Sequence, residues 1–428
     1  MKKLFVLMMM VFFVSPLPVI STEKETSFSN AKIHPLTENV ITNSIYYKTI
    51  PRNPNLYYES NTYSNPELSI FAKVLEPNAD FTIEDLLLNQ ENIPVFKLSD
   101  GTYIEANRQI IYDDATIEEV AVDKSFWLPE NFTVYKEPYM KGVDSLKTDL
   151  KAFTKVHADQ LVQTQQGLYY RINGKGWISD KELSLADNRM VKVQQVLSQK
   201  YNKGNYSIYV KQLDTQASAG INADKMMYSA SIAKLATLYF VQNQISNGKV
   251  SPDKKLKYVK DVNHFEGDYA PSGSGEITKT ADNKEYSVAE LLKAIAQHSD
   301  NVATNILGYY LANKYDQNFY SQINAVSGIS WNMEKRMMSS RAAANVMESI
   351  YYQKGDIISY LSKTDFDNKR ISKNIDVPVA HKIGDAYDYK HDVAIVYGDS
   401  PFIISIFTDK ASYDDITKIA DDVYSILK

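Results

Sequence analysis

The sequence predicts a multidomain chain in which two small all-β barrels precede an α+β domain. Three observations carry this. At 428 residues the chain exceeds one ordinary domain. Up to about residue 187 it is rich in tyrosine and short β-like runs, with few helical patterns. From residue 188 helical patterns dominate, with strands near both ends of the segment. The expected divisions are 1–21 (signal peptide), 22–43 (flexible leader), 44–112 and 113–187 (two β modules) and 188–428 (the α+β domain).

The N-terminal elements follow from charge and hydropathy. Lys2 and Lys3 precede the apolar run LFVLMMMVFFV, then come Pro16, Pro18 and the small-residue site Val19-Ile20-Ser21. That is the three-part form of a secretory signal. The run is shorter than a bilayer span needs, and cleavage is expected near Ser21. Residues 22–43 are polar and without period, as a flexible leader is. The chain has no cysteine, which excludes disulfide partners, thiol chemistry and a lipid-modified cysteine after the signal. A net charge of −5 gives no reason to expect nucleic acid. The six histidines are scattered without ligand spacing, so neither a metal site nor a cofactor is expected.

The β modules are marked by a repeat. "IPVFKLSDGTYIEANRQ" (93–109) aligns with "GLYYRINGKGWISDKEL" (167–183). Phe96 falls on Tyr170, Leu98 on Ile172, Tyr103 on Trp177 and Ile104 on Ile178. Each copy reads as a hairpin with a glycine-containing turn, then an aromatic and an isoleucine. "NLYYESNTY" and "FTVYKEPYM" are a second likeness, earlier in each copy. Two small barrels in tandem fit this pattern. On "YYRINGKGWISDKEL" the modules resemble the bacterial SH3-like GW module, although the first copy has Tyr103 where the tryptophan would be. That resemblance implies binding of a wall polymer, peptidoglycan or teichoic acid, through residues 44–187.

Within 188–428 the helical segments read as 189–202, 231–246, 287–297, 301–315, 339–353 and 412–427. Strands read as 206–214, 392–398 and 402–408. Ser231 and Lys234, in "MMYSASIAKLATLYF", open a helix that is apolar nearly all round and therefore buried. Residues at i and i+3 share a face, so the hydroxyl and the amine can meet there. Burial disfavours a charged lysine and makes it a candidate base. The same spacing recurs at Ser246–Lys249, Ser251–Lys254 and Ser425–Lys428, so spacing alone decides nothing. Two further stations follow: Ser299-Asp300-Asn301 between two helical segments, and Lys382-Ile383-Gly384 at the end of a short apolar run.

S-x-x-K, then S-D-N, then K-T-G is the signature order of class A β-lactamases and penicillin-binding proteins. Residues 188–428 resemble that superfamily, in "ASAGINADKMMYSASIAK" and "YSVAELLKAIAQHSDNVATNIL" as well as in the three stations. The resemblance implies a β-lactamase/transpeptidase-like fold and a serine acyl-enzyme. Ser231 would be acylated, Lys234 would take its proton beside the charge of Lys382, and Ser299 would relay a proton to the leaving nitrogen. Asn301, Ile383, Gly384 and Asp385 would form the substrate-binding set. Asn301 would hold the acyl side-chain amide, and the backbone N–H groups of Ser231 and Asp385 would meet the oxyanion. Such donors typically contribute about 3–4 kcal/mol each.

Two departures shape the functional expectation. Ile383 stands where the family usually has a hydroxyl that helps bind the substrate carboxylate. Losing a hydrogen bond to a charged group costs about 1.5–3 kcal/mol. Between Asn301 and residue 339 no E-x-x-L-N pattern supplies a glutamate and asparagine to activate the deacylating water; Glu334 is the lone carboxylate in the right neighbourhood. The sequence therefore reads as a secreted, wall-associated serine acyl-enzyme that acts on peptidoglycan or D-alanyl wall substrates and turns β-lactams over poorly. A genuine β-lactamase and a catalytically decayed wall-binding protein are the alternatives.

Overall fold

The computed structural model describes residues 45–428; the expected signal peptide and leader lie outside the described residues. By compactness the chain divides into two units, Met1–Asp113 and Asp114–Lys428.

The described part of the first unit is all-β. Its strands are β1 (Pro54–Leu56), β2 (Ser60–Tyr63), β3 (Phe71–Leu75), β4 (Ile83–Leu88), β5 (Pro94–Leu98), β6 (Tyr103–Glu105) and β7 (Ile111–Asp113). Five of them form a sheet in the order β3-β2-β6-β5-β4, and β1 pairs with β7. Phe96, Leu98 and Ile104 point to the core with Tyr47 and Leu56. The β5–β6 turn closes through Gly101, whose φ of 83° suits a residue without Cβ.

The second unit opens with β8 (Glu118–Trp127), β9 (Lys155–Thr164), β10 (Gly167–Ile172) and β11 (Gly176–Ser179), in the sheet order β11-β10-β9-β8. Its last hairpin has the register of the β5–β6 hairpin. Phe96 opposes Ile104 in one, and Tyr170 opposes Ile178 in the other. The segment 114–187 belongs to the same compact unit as residues 188–428. Asn188 Nδ2 donates to the Leu128 carbonyl at 3.0 Å, and the Arg189 guanidinium lies 4.8 Å from the centre of the Trp127 ring.

The rest of this unit is α+β. Strands β12 (Tyr206–Gln212) and β13 (Ser218–Ile221) join three others late in the chain, in the order β13-β12-β20-β19-β18. These are β18 (Val379–Ala386), β19 (Tyr389–Val396) and β20 (Phe402–Asp409). One core cluster unites this sheet with α1 (Arg189–Lys200) and the last helix, Tyr413–Leu427. The other unites it with α2 (Lys234–Ser246), α3 (Val288–His298), α4 (Asn301–Tyr310), α5 (Gln317–Ser327), α6 (Ser340–Gln353) and α7 (Ile357–Leu361). The last helix is α8. Two short pairs, β14 (Met227–Tyr228) with β17 (Met337–Met338) and β15 (Lys255–Lys257) with β16 (Glu285–Ser287), tie the helical region together.

Several elements differ from the sequence reading, among them β13, β18 and α7, which it did not assign. The helix expected over 301–315 stops at Tyr310, and residues 317–327, read as connection, form a helix. Asp316 caps its start through the Phe319 N–H, and Gly328, at φ 76°, ends it in the left-handed region. The helix expected from Ser231 begins at Lys234, because Ala230–Ala233 form a tighter 3₁₀ turn entered at an Ala230 φ of 51°. Among the described residues, no helix is long and apolar enough to cross a membrane.

Candidate active site

The site lies where three elements meet. The 3₁₀ turn before α2 carries Ser231, the α3–α4 junction carries Ser299 to Asn301, and the edge strand β18 carries Lys382 to Asp385. Gly384 makes the close approach of strand and turn attainable. A Cβ there would fall 2.5 Å from the Ser229 carbonyl oxygen, so any other residue would push β18 off the turn that holds Ser231. At the junction, Ser299 ends α3 in the left-handed region (φ 53°), and Asp300 starts α4 by accepting the Ala303 N–H. The buried Asp300 carboxylate also accepts the N–H groups of Glu276 and Ile277. It is a structural clamp rather than a reactant.

Lys234 and Lys382 are both fully sequestered, and Ser299 lies between them. Lys234 Nζ donates to the Ser299 carbonyl at 2.6 Å and to Asn301 Oδ1 at 2.5 Å, and it sits 3.4 Å from Ser299 Oγ. Lys382 Nζ donates to Ser299 Oγ at 2.8 Å and to the Ile383 carbonyl at 3.1 Å. Burial first, and the Lys382 charge second, push the Lys234 amine well below the ordinary lysine range. Burial also brings Lys382 down to about 7, against the pull of the Asp392 carboxylate. A neutral amine has two hydrogens and one lone pair. Both Lys234 hydrogens are committed to the Ser299 and Asn301 oxygens, which leaves the lone pair as the group able to accept a proton.

Ser231 is half-buried at the start of this array. Its Oγ has no hydrogen-bond partner among the described residues, so the expected Ser231–Lys234 contact is one of proximity in the fold rather than a formed bond. Hydrogen bonds of this kind commonly tighten only when substrate is bound. Asn301, expected to hold the acyl amide, is engaged at both ends. Its Oδ1 takes the Lys234 proton donor, and one Nδ2 hydrogen goes to the Ala270 carbonyl at 2.8 Å. Ile383 is buried at 7% exposure and brings no donor. Asp385 points its carboxylate at Arg370 Nη2, 2.6 Å away, and also accepts from the Tyr413 hydroxyl.

On the other flank of Lys234, its Nζ lies 4.6 Å from the centre of the buried Tyr269 ring, and the Arg336 guanidinium lies 3.8 Å from the same centre. Arg336 Nη2 donates to the Gly267 and Asp268 carbonyls, and its own carbonyl accepts from the Ser229 backbone and hydroxyl. In the connection from α5 to α6, Trp331 and Met333 are buried while Glu334 is exposed. The carboxylate that the sequence offered for activating water therefore faces solvent.

A family model for the β-lactamase enzyme family matches residues 188–427. This chain belongs to the β-lactamase enzyme family. Residues 46–111 match a second model, a domain of unknown function (DUF5776). No curated protein matches. Among solved structures, PBP-A is similar at 18% identity and a TM-score of 0.46, over 56% of this chain and 96% of that one. A β-lactamase from Sphaerobacter thermophilus DSM 20745 is similar at 16% identity and 0.45, over 56% and 94%. An ancestral class A β-lactamase (GNCA) is similar at 16% and 0.47, over 54% and 99%.

Several side chains around the site escape a reading of the sequence. The Tyr269–Arg336 stack joins residues far apart in sequence and in no recognisable pattern. The same holds for Arg370 against Asp385. His381, next to Lys382, is enclosed with Asp392 (3.1 Å from Nδ1) and Asp367 (3.1 Å from Nε2). Burial would lower its pKa, but the Asp392 charge and the hydrogen bonds to both carboxylates raise it to about 9. Glu276, His298 and Asp365 bring one ligand atom each within 4.8 Å of one another, although the histidines show no ligand spacing in the sequence. They come from three separate elements and lie at the surface, where His298 Nδ1 is 2.8 Å from Asp365 Oδ2.

Proposed function

We propose that this protein is a secreted, wall-associated serine acyl-enzyme, acting on peptidoglycan or D-alanyl wall substrates and turning β-lactams over poorly. The observation that carries the reading is the lysine–serine–lysine array, with Lys234 held neutral and its lone pair unclaimed. Ser231 Oγ gives its proton to Lys234 and attacks the acyl carbonyl. The N–H groups of Ser231 and Asp385 receive the oxyanion. The proton passes through Ser299 Oγ, which bonds Lys382 and lies near Lys234, to the leaving atom. Water must then release the acyl group, and the connection from α5 to α6 offers no inward carboxylate for that step: Met333 is buried and Glu334 exposed. The matched hairpins at β5–β6 and β10–β11 support a pair of GW-like modules that hold the enzyme at a wall polymer. The Lys2-Lys3 and LFVLMMMVFFV signal supports export.

Intact-protein mass spectrometry with a fluorescent penicillin and an acyl-serine-selective probe tests the enzyme reading. An adduct is expected on Ser231 and is expected to be absent in Ser231→Ala; an adduct that persists in that variant refutes the assignment. Sedimentation of the whole protein with isolated walls, before and after removal of teichoic acid, tests the wall reading. Unchanged sedimentation after removal excludes that polymer.

A further inference from the structure

Asp385 has a second relation to the site besides its backbone. Ile383 and Asp385 lie on one face of β18, alternate to Lys382 and Gly384. On that face the Arg370 guanidinium is 1% exposed, and it lies 4.0 Å from the centre of the Tyr413 ring. A buried guanidinium needs a partner. Here the partner comes from the chain itself: Arg370 Nη2 donates to Asp385 Oδ2 at 2.6 Å, and the Tyr413 hydroxyl donates to the same oxygen. Unlike the guanidinium, the Asp385 side chain is 35% accessible, so the pair ends at the surface beside the strand that carries Lys382, with its negative member outward. Ile383, one pleat away on the same face, contributes no donor.

We propose that Asp385 occupies, within the chain, the place a substrate carboxylate would take beside the scissile bond. The site then selects acyl donors whose leaving group is uncharged there, such as an ester of a neutral alcohol. It turns away donors whose leaving group carries a carboxylate next to the leaving atom. Two effects add: a like charge facing Asp385 is repelled, and the Arg370 charge is already matched by Asp385. This rests on the acyl-enzyme reading and narrows it, favouring D-alanyl esters over stem peptides that end in a free D-alanine carboxylate.

The test uses two thioesters with the same acyl group. One has a thiolactate leaving group, with its carboxylate next to sulfur; the other has the corresponding neutral thiolactamide. In each, Ser231 Oγ bonds to the carbonyl carbon, the carbon–sulfur bond breaks and the thiol leaves with the proton. Both give the same acyl-Ser231 mass, so thiol release and adduct formation are compared on the full chain. The wild type is expected to prefer the neutral donor by about tenfold or more. Asp385→Asn is expected to erase or reverse that ratio by freeing Arg370. Should that variant not fold, the double variant Asp385→Asn with Arg370→Gln, which strands no charge, is expected to bring the ratio near one. A wild type that prefers the carboxylate donor, or a ratio unmoved in a folded variant, overturns the assignment while the acyl-enzyme reading stands. No adduct at Ser231 from either donor refutes the acyl-enzyme reading itself, and the assignment with it.

Discussion

The two flanks of Lys234 differ in kind. Towards β18, Ser299 and Lys382 form a continuous chain of donors and acceptors with short distances. Towards the connection between α5 and α6, the same amine meets the Tyr269 ring, with Arg336 over that ring and Met333 buried beyond. One flank offers a path for protons; the other is closed by an aromatic ring and a guanidinium. A serine enzyme needs proton transfer twice, once to form the acyl bond and once to activate water. The difference between the flanks is that one links Lys234, Ser299 and Lys382 through hydrogen-bonding atoms, while the other presents a ring and a guanidinium, with Glu334 of the α5–α6 connection turned to solvent.

The first flank is broken most completely at its nucleophile. Ser231→Ala should abolish adduct formation, read by intact mass. Lys234→Ala should slow acylation by about 10²–10⁴-fold, the range for a lost general base, with the far-ultraviolet spectrum unchanged. Acylation should also depend on pH in a stated direction. The competent state pairs a neutral Lys234 with a protonated Lys382, and Lys382 titrates at about 7. The second-order rate should therefore fall as pH rises through 7, by about tenfold per unit. Lys382→Arg, which stays protonated, should remove that limb.

The contrast between flanks sharpens with β-lactams. Nitrocefin should acylate Ser231 slowly and hydrolyse more slowly still. Ile383→Thr should raise the acylation rate by about tenfold or more, the worth of one hydrogen bond to a charged group, and leave adduct lifetime unchanged. Rapid multiple turnover by the wild type would show a water-activating group on the second flank and favour a true β-lactamase.

The smallest effect is on stability. The His381 pKa is raised on folding to about 9 from an ordinary 6.5. Its contribution is therefore complete below about pH 6.5 and lost as pH rises through 9, worth up to roughly 3 kcal/mol. The depressed lysines act in the opposite sense, since folding disfavours their protonated forms at lower pH. The difference in thermal midpoint between wild type and His381→Gln, followed from pH 6 to 9, isolates the histidine; a difference that does not shrink with pH contradicts the buried imidazolium.

The first flank is legible in the sequence and the second is hidden, for a physical reason. Ser231, Lys234, Ser299 and Lys382 sit in short local patterns on predictable elements, and the fold brings Lys234, Ser299 and Lys382 within hydrogen-bonding reach. The Phe96–Ile104 and Tyr170–Ile178 hairpins are legible likewise, from alternation and turn glycines. Tyr269 over Arg336 joins two loops and Arg370 against Asp385 joins a 3₁₀ turn to β18, and neither contact leaves a periodic trace in the sequence. The resemblance implies an amide-holding role for Asn301, and the fold adds contacts the sequence does not show, to Lys234 through Oδ1 and to the Ala270 carbonyl through one Nδ2 hydrogen. The helix over 317–327 is hidden because QNFYSQINAVS has modest apolar content, and only its caps at Asp316 and Gly328 signal it.

The Tyr269 shelf bears on how such a chain could evolve. Resistance to penicillins by hydrolysis would require a carboxylate and a water molecule beside Lys234. That space already holds an aromatic ring between the neutral Lys234 amine and the Arg336 guanidinium, and Arg336 is moored by its side chain to the Gly267 and Asp268 carbonyls and by its carbonyl to Ser229. A new acid at one position would meet a filled site. The ring and its guanidinium would have to leave together, although the main-chain carbonyl of residue 336 would keep its bond to Ser229. Opening that space would therefore take more than one substitution.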